Sequence, residues 1–315
     1  MMRQCLAAAL FAASCAVALP SQAAGDPDIV FKVEAGDHAD YAVRYIRGAS
    51  LGGRPNIVTA VSYDLGVDIK SVTPEAIIAT VTTTAVDVSV NGQRVLDPPD
   101  FDSALYLAAE GIPIDVSITP DGTVGDVQDW DALKATLETR LLEKAGKNEA
   151  IRATAHDFFG SLGAAPAAEV FARPLALSAA GRIVKLSSPD RRSVEAKGVA
   201  LPSFTSAAKG NWTFTLIDAP TASRLPGAVT IEWLGVPNAE DLRAILRSVA
   251  AQFSEIDPES APALAVIERD ARMWQRFLSS YAPETGQLIE MSGQMELVAG
   301  PIQRKVAIEA RRKPQ

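Results

Sequence analysis

The chain has little of what catalytic and metal sites are usually made from. Among its 315 residues there are two cysteines and two histidines. Both cysteines, Cys5 and Cys15, lie in an N-terminal stretch that reads as a removable leader. Without that stretch the chain has no disulfide, no thiol nucleophile and no thiolate metal site, and its stability has to come from an ordinary core. His38 sits among Asp37, Ala39 and Asp40 in an expected turn, and His156 precedes Asp157 on an expected helix. No HExxH or HxH pattern joins them, so a catalytic zinc site lacks its ligands. No G-x-S-x-G elbow occurs; Gly160-Ser161-Leu162-Gly163 is only a fragment of one. The glycines fall in neither a P-loop nor a dinucleotide frame, so no cofactor is indicated.

Carboxylates are plentiful but poorly placed for chemistry. One grouping is Asp97, Asp100 and Asp102, and another is Asp121, Asp126, Asp129 and Asp131. Converging carboxylates can bind Ca²⁺ or flank a glycosidic bond. Neither grouping has EF-hand spacing or its glycine. Both coincide with turns and helix starts, where aspartate serves the backbone.

Positive charge is also scarce. Thirty Lys and Arg stand against 38 Asp and Glu, a net charge of −8. Loss of Arg3 with the leader leaves 29 basic residues and a net −9. That balance disfavours nucleic acid and anionic membrane surfaces as main partners. The basic cluster Arg304, Lys305, Arg311, Arg312 and Lys313 reads as a solvated edge strand and tail, where cations discourage edge pairing.

What is present begins with the leader. Met1-Met2-Arg3, an apolar run to Leu19 and the small-residue end Ser21-Gln22-Ala23-Ala24 are the three parts of a secretory signal peptide. Cleavage after Ala23 or Ala24 is expected, and with it a soluble periplasmic or secreted protein. The run is too short and Ala-rich for a comfortable membrane span. A competing reading attaches lipid at Cys15, but Ala12 stands where a lipoprotein box has Leu or a similar residue.

The most legible stretch runs from Ile112 to Lys144. Ile112, Ile114, Val116 and Ile118 alternate with polar or turn residues, which places them on one face of a strand. Pro120-Asp121-Gly122 is a turn, and Thr123 to Val127 returns as a second strand. Asp129 is a plausible N-cap, and Leu133, Leu137 and Leu141 form an apolar stripe expected to pack on the hairpin. Ala228 to Trp233 followed by a helix from Ala239 repeats this plan. Asp131 to Leu137 aligns without gaps on Glu240 to Leu246, which suggests two related strand-helix halves, although acidic Leu/Ala helix starts also look alike by composition alone.

Further strands are expected at 29–33, 40–48, 57–69 with a bulge at Gly66, and 76–90, the last followed by the tight-turn pair Asn91-Gly92. With no helix between them they should form an antiparallel meander. Phe101 to Glu110 reads as a short helix. Lys147 to Ala180 reads as a helical layer, with Pro174 kinking or ending its second helix. Later strands are expected at 211–218, 276–282, 287–298 and 302–311, with a helix at 263–274. The fold class is thus α+β, with antiparallel meander sheets, half-barrel-like, packed against inserted helices. The expected organisation is a signal peptide at 1–24, a sheet with helices at 25–186, a loose connector at 187–210, and strands and helices at 211–315 that complete the same fold.

This order of parts resembles bacterial envelope proteins of the LolA/LolB type, periplasmic lipoprotein carriers in which a half-barrel cradles helices. The resemblance rests on the meander, the inserted helices and an exported chain without disulfides. It implies a cavity for acyl chains, and it carries no binding residue over to this sequence. The stretch from Ile112 to Leu142 also resembles uncharacterised exported bacterial proteins with the order strand, Pro-Asp-Gly, strand, helix. Three functions remain open: a non-catalytic periplasmic binding or carrier protein for a lipid or other apolar ligand, a structural or interaction protein with an envelope protein partner, and a hydrolase with an unrecognised site. For the first, Phe158, Phe159, Phe171 and Leu175 are the candidate pocket residues. The same side chains can instead fill a dry core.

Overall fold

The structure, a computed structural model, describes residues 29–51, 57–183, 193–200, 209–217, 228–243, 271–299 and 302–314. The expected leader with Cys5 and Cys15, parts of the expected connector at 187–210, and most of the helix expected at 263–274 lie outside these residues.

The strands are β1 (His38–Leu51), β2 (Ile57–Val72), β3 (Ile77–Val90), β4 (Gln93–Arg94), β5 (Pro113–Ile118), β6 (Val124–Val127), β7 (Ser193–Ala200), β8 (Lys209–Ile217), β9 (Val229–Pro237), β10 (Arg272–Tyr281), β11 (Leu288–Ala299) and β12 (Ile302–Arg312). The helices are α1 (Phe101–Ala109), α2 (Trp130–Ala145), α3 (Glu149–Ser161), α4 (Ala164–Phe171) and α5 (Arg173–Ile183). The strands form one open antiparallel sheet in the order β6-β5-β3-β2-β1-β12-β11-β10-β9-β8-β7, with β4 paired to β3 off this path. The class is α+β, as expected: a half-barrel-like sheet with helices inside it.

Register explains why one face is buried. Phe214, Trp233, Phe277, Gly293, Ile308, Tyr45, Val61 and Val88 pair in succession across eight strands from β8 to β3. Every residue of that row is buried. The rows on either side of it carry Arg276 and Glu232, whose side chains meet diagonally at 2.5 Å on the outer face. A slip of one residue anywhere would exchange the two faces, so the hydrophobic pattern fixes the register.

Helix α5 is what the sheet curls around. It contacts β6 near one edge and β9 and β11 in the other half. Two hydrogen bonds tie it to both halves: Tyr281 Oη on β10 donates to Ser178 O at 2.6 Å, and Arg182 Nη2 donates to Gly122 O at 2.7 Å.

Several expectations are corrected. Residues 29–33 form no strand; Lys32 N–H donates to Thr285 O at 2.8 Å and the segment lies across the start of β11. Its alternation is real, since Ile29 is buried and Val30 exposed, but it packs by side chains rather than by a ladder. His38 opens β1 instead of sitting in a turn. Gly66 is in register with Asp40 and Thr82, and the irregularities of β2 fall at Ser62/Asp64 and Ile69/Ser71. Residues 272–274 belong to β10, not to a helix. The basic residues of β12 do not mark an edge: β12 is central, paired with β1 and β11, because the two ends of the chain meet there. Arg304 is buried, and Lys313 pairs with Asp64 at 2.7 Å.

The Leu stripe of α2 packs against α1 and α3, while α4 is the helix that covers β6. Asp129 precedes α2 with left-handed backbone (φ 50°) and makes no side-chain cap. Leu137 and Leu141 are fully buried, but Leu133 is only half-buried, whereas Leu242 in the later helix is buried. Leu133 and Leu242 therefore do not hold equivalent places. Leu137→Ala should cost about 2–5 kcal/mol of stability, as buried leucine truncations do, and Leu133→Ala clearly less. Urea midpoints measure both, and equal losses would show the stripe to be packed differently.

Candidate ligand pocket

The described residues enclose a pocket of about 480 Å³, counting the solvent at its mouth. Six segments build it. Ala39 and Tyr41 on β1 stand beside Val67 and Ile69 on β2, each at the inward positions of its strand. Phe31 and Val33 of the crossing N-terminal segment form a second wall. Ile118 and Gly122 come from the β5–β6 hairpin, and Leu175 and Arg182 from α5. Gln287 and Leu288 close the end at the start of β11, where Tyr41 Oη donates to Leu288 O at 3.1 Å. Asp37 and His38 complete the lining.

Arg182 is the unusual member. It is 2% exposed. Its Nη2 reaches Gly122 O, and its Nη1 lies 3.3 Å from Ser178 Oγ. Its Nε has no hydrogen-bond partner. Its guanidinium lies over the ring of Phe31, 4.7 Å from the centroid, and 5.7 Å from that of Tyr281. No carboxylate comes within ion-pair distance of it among the described residues. Burial pushes the guanidinium below its ordinary pKa, and Tyr281, Tyr41 and the more distant Asp121 offset this only in part. Asp121 is itself engaged. Burial pushes its carboxyl up, but hydrogen bonds from Thr119 Oγ1 and Thr123 N–H outweigh that and hold it below the usual range.

Gly122 makes this approach possible. A Cβ there would stand 2.6 Å from Arg182 Nε, and the residue has φ +84°. The Pro-Asp-Gly turn is thus the seat of the arginine as well as the tip of a hairpin. Sequence reasoning did not single out Arg182, because a cation in the last turn of a helix is expected on dipole grounds alone. The available signal was its position: Arg182 ends a run from Pro174 to Gly181 that has no other charge.

Of the four residues expected to line a pocket, Leu175 does so. Phe158, Phe159 and Phe171 are buried in the helical layer. Phe158 packs on Phe101 at 4.9 Å and on Phe159 at 5.2 Å, and Phe171 lies 6.4 Å from Trp130.

The two histidines and the aspartate groupings take separate roles. His38, half-exposed at the pocket, is held by Asp40 at 3.0 Å and Asp68 at 2.7 Å, and these carboxylates raise its pKa. His156 is on the surface, 3.9 Å from Glu138. Asp100 caps α1 by accepting from Ser103 N–H, and Asp100 and Asp102 both pair with Arg47. The two carboxylates outweigh the burial that would push the Arg47 guanidinium down. Nearby, burial pushes Arg304 down to about 10. Asp126, Asp129 and Asp131 are exposed. Among the described residues no three His, Cys, Asp or Glu side chains converge as a metal site would require.

No family model matches the chain, and no curated protein matches it. Among solved structures it is similar to lipovitellin, described for its lipid–protein interactions, with 8% identity and a TM-score of 0.45. That match covers 90% of this chain and 26% of the other, so the chain spans about a quarter of lipovitellin's length. It is also similar to DynF of the dynemicin biosynthesis pathway of Micromonospora chersina, at 7% identity and a TM-score of 0.22, over 95% of this chain and 94% of that one. A third likeness is to an outer membrane channel from Pseudomonas putida, at 8% identity and a TM-score of 0.23, over 92% of this chain and all of the other.

Proposed function

We propose that the protein is a non-catalytic carrier or binding protein for an apolar ligand, acting in the exported compartment that its leader implies. The observation that carries this reading is the pocket beneath the β5–β6 turn. It is a concave site lined mainly by apolar side chains with a few polar groups, the usual make-up of a small-molecule site. Its walls are largely aliphatic and aromatic, and they project from strands whose register is fixed across the sheet. Burial of hydrocarbon at about 0.8 kcal/mol per CH₂ supplies affinity there without any reaction. Leu175 is then a wall of the site, and Phe158, Phe159 and Phe171 are the packing that holds the helical layer behind it.

An uncharged naphthylamine probe, which fluoresces on entering an apolar site, tests the reading. Saturable binding is expected. Val67→Trp, which fills the pocket from β2, should weaken it by about tenfold or more while the circular dichroism spectrum stays unchanged. Absence of saturable binding to the refolded, lipid-free wild-type chain would overturn the proposal.

A further inference from the structure

We infer that the pocket selects a monoanionic amphiphile, an apolar chain ending in a carboxylate, and that Arg182 receives the headgroup. This rests on the pocket being a ligand site, and it adds the chemical class of the ligand.

The first step concerns charge. An arginine stays protonated at any physiological pH. Taking a cation out of water is strongly unfavourable unless a counter-charge and hydrogen bonds replace the lost hydration. Arg182 is 2% exposed, yet it receives only the carbonyl of Gly122 and a long contact to Ser178 Oγ. Its Nε is unpartnered, and no described carboxylate reaches it. The rings of Phe31 and Tyr281 attract the positive charge, but no described carboxylate pairs with it. An anion arriving in the pocket does.

The second step concerns which anion. Arg182 is the one buried cation among the lining residues. The other basic group there, His38, already lies between Asp40 and Asp68, and Asp37 stands beside it. A single buried positive charge with acidic residues close by matches one negative charge and disfavours two. That favours a carboxylate over a phosphate monoester. Phe31 and Tyr281 flank the guanidinium with their rings, and Leu175, Val67 and Ile69 offer hydrocarbon to the chain. Arg also suits the task by geometry, since its planar N–H groups donate to both oxygens of a carboxylate lying in their plane.

The test is a displacement series against the naphthylamine probe on the delipidated wild-type chain, at a pH where the acid is ionised. Dodecanoate, dodecanol, dodecyl phosphate and dodecyltrimethylammonium share one chain and differ in the head. Dodecanoate should displace the probe at a concentration about tenfold or more below dodecanol, and the ammonium should be the weakest. In Arg182→Met the preference for dodecanoate over dodecanol should vanish while dodecanol still binds. Should Arg182→Met fail to fold, the wild-type series decides alone. Equal displacement by dodecanoate and dodecanol overturns the inference and leaves the carrier reading standing, whereas failure of the probe itself removes the carrier reading. A preference for dodecyl phosphate overturns the carboxylate assignment, and an anionic preference that survives in Arg182→Met overturns the role of the arginine.

Discussion

Trp233→Ala should remove about 3–5 kcal/mol of stability, a large share of what a domain of this size has to spare. Trp233 is 1% exposed at the centre of β9. Its ring stacks on Phe277 with centroids 4.0 Å apart and planes 13° apart, and lies 4.6 Å from Trp212. These contacts follow from the register, which sets Trp233 between Phe214 and Phe277 on neighbouring strands. The row stays closed on its other side because Gly293 on β11 is paired with Phe277 on β10. A Cβ there would stand 2.1 Å from the Phe277 ring, so the aromatic ring occupies the space a side chain would need. Gly293→Ala should therefore destabilise in the same direction as Trp233→Ala, through the same ring. The two losses should combine to less than their sum, because residues that share a partner are not additive. Denaturant midpoints of the two single variants and the double variant measure this, and strict additivity would show that Phe277 does not link them.

The same row shows which parts of the fold the residue pattern reveals. Alternation on β1, β5 and β8 identifies the inward face from the residues alone, and Tyr45, Ile114 and Phe214 all fall on it, whereas β3 changes parity at Ala85 (φ 52°), so that Val81 and Val88 are both buried. The pair Asn91-Gly92 takes φ +50° and +80°, the turn its composition calls for. Pro174 lies in the first turn of α5, just after the break that separates it from α4. Alternation gives a face but no neighbour. Nothing local places β12 beside β1, and its basic residues are those of an edge strand until both flanks are seen to be paired. The pocket was partly legible for the same reason. Leu175 could be named from a helical face, but Arg182 depends on Gly122, 60 residues away in the chain. A helical period does not show which cation on a helix will be buried.

Arg47→Met should be the most destabilising change of a charged residue, by about 3–5 kcal/mol at neutral pH, because it strands two partly buried carboxylates. The Arg47 side chain is 15% exposed and that of Asp102 17%. Its two terminal nitrogens each take a different acid, Asp102 by Nη1 and Asp100 by Nη2 at 2.7 Å. That division also binds β1 to the start of α1, since Asp100 caps the helix through Ser103 N–H. Arg47→Lys keeps the charge but loses the fork, and should fall between wild type and Arg47→Met. The pH dependence gives the cause. Burial pushes the Asp100 carboxyl up, but Arg47 and the bonds from Ser103 outweigh it, and the net pKa lies below the ordinary value. A carboxyl held low in the folded state contributes stability that is fully present above the unfolded pKa, about 3.9, and is lost as pH falls through the folded one. The difference in urea midpoint between wild type and Arg47→Met should therefore be full at neutral pH and narrow below about pH 4. A difference that stays constant through that range would mean that Arg47 acts by packing against Tyr45, over whose ring its guanidinium also lies at 5.5 Å, and not by holding the two carboxylates.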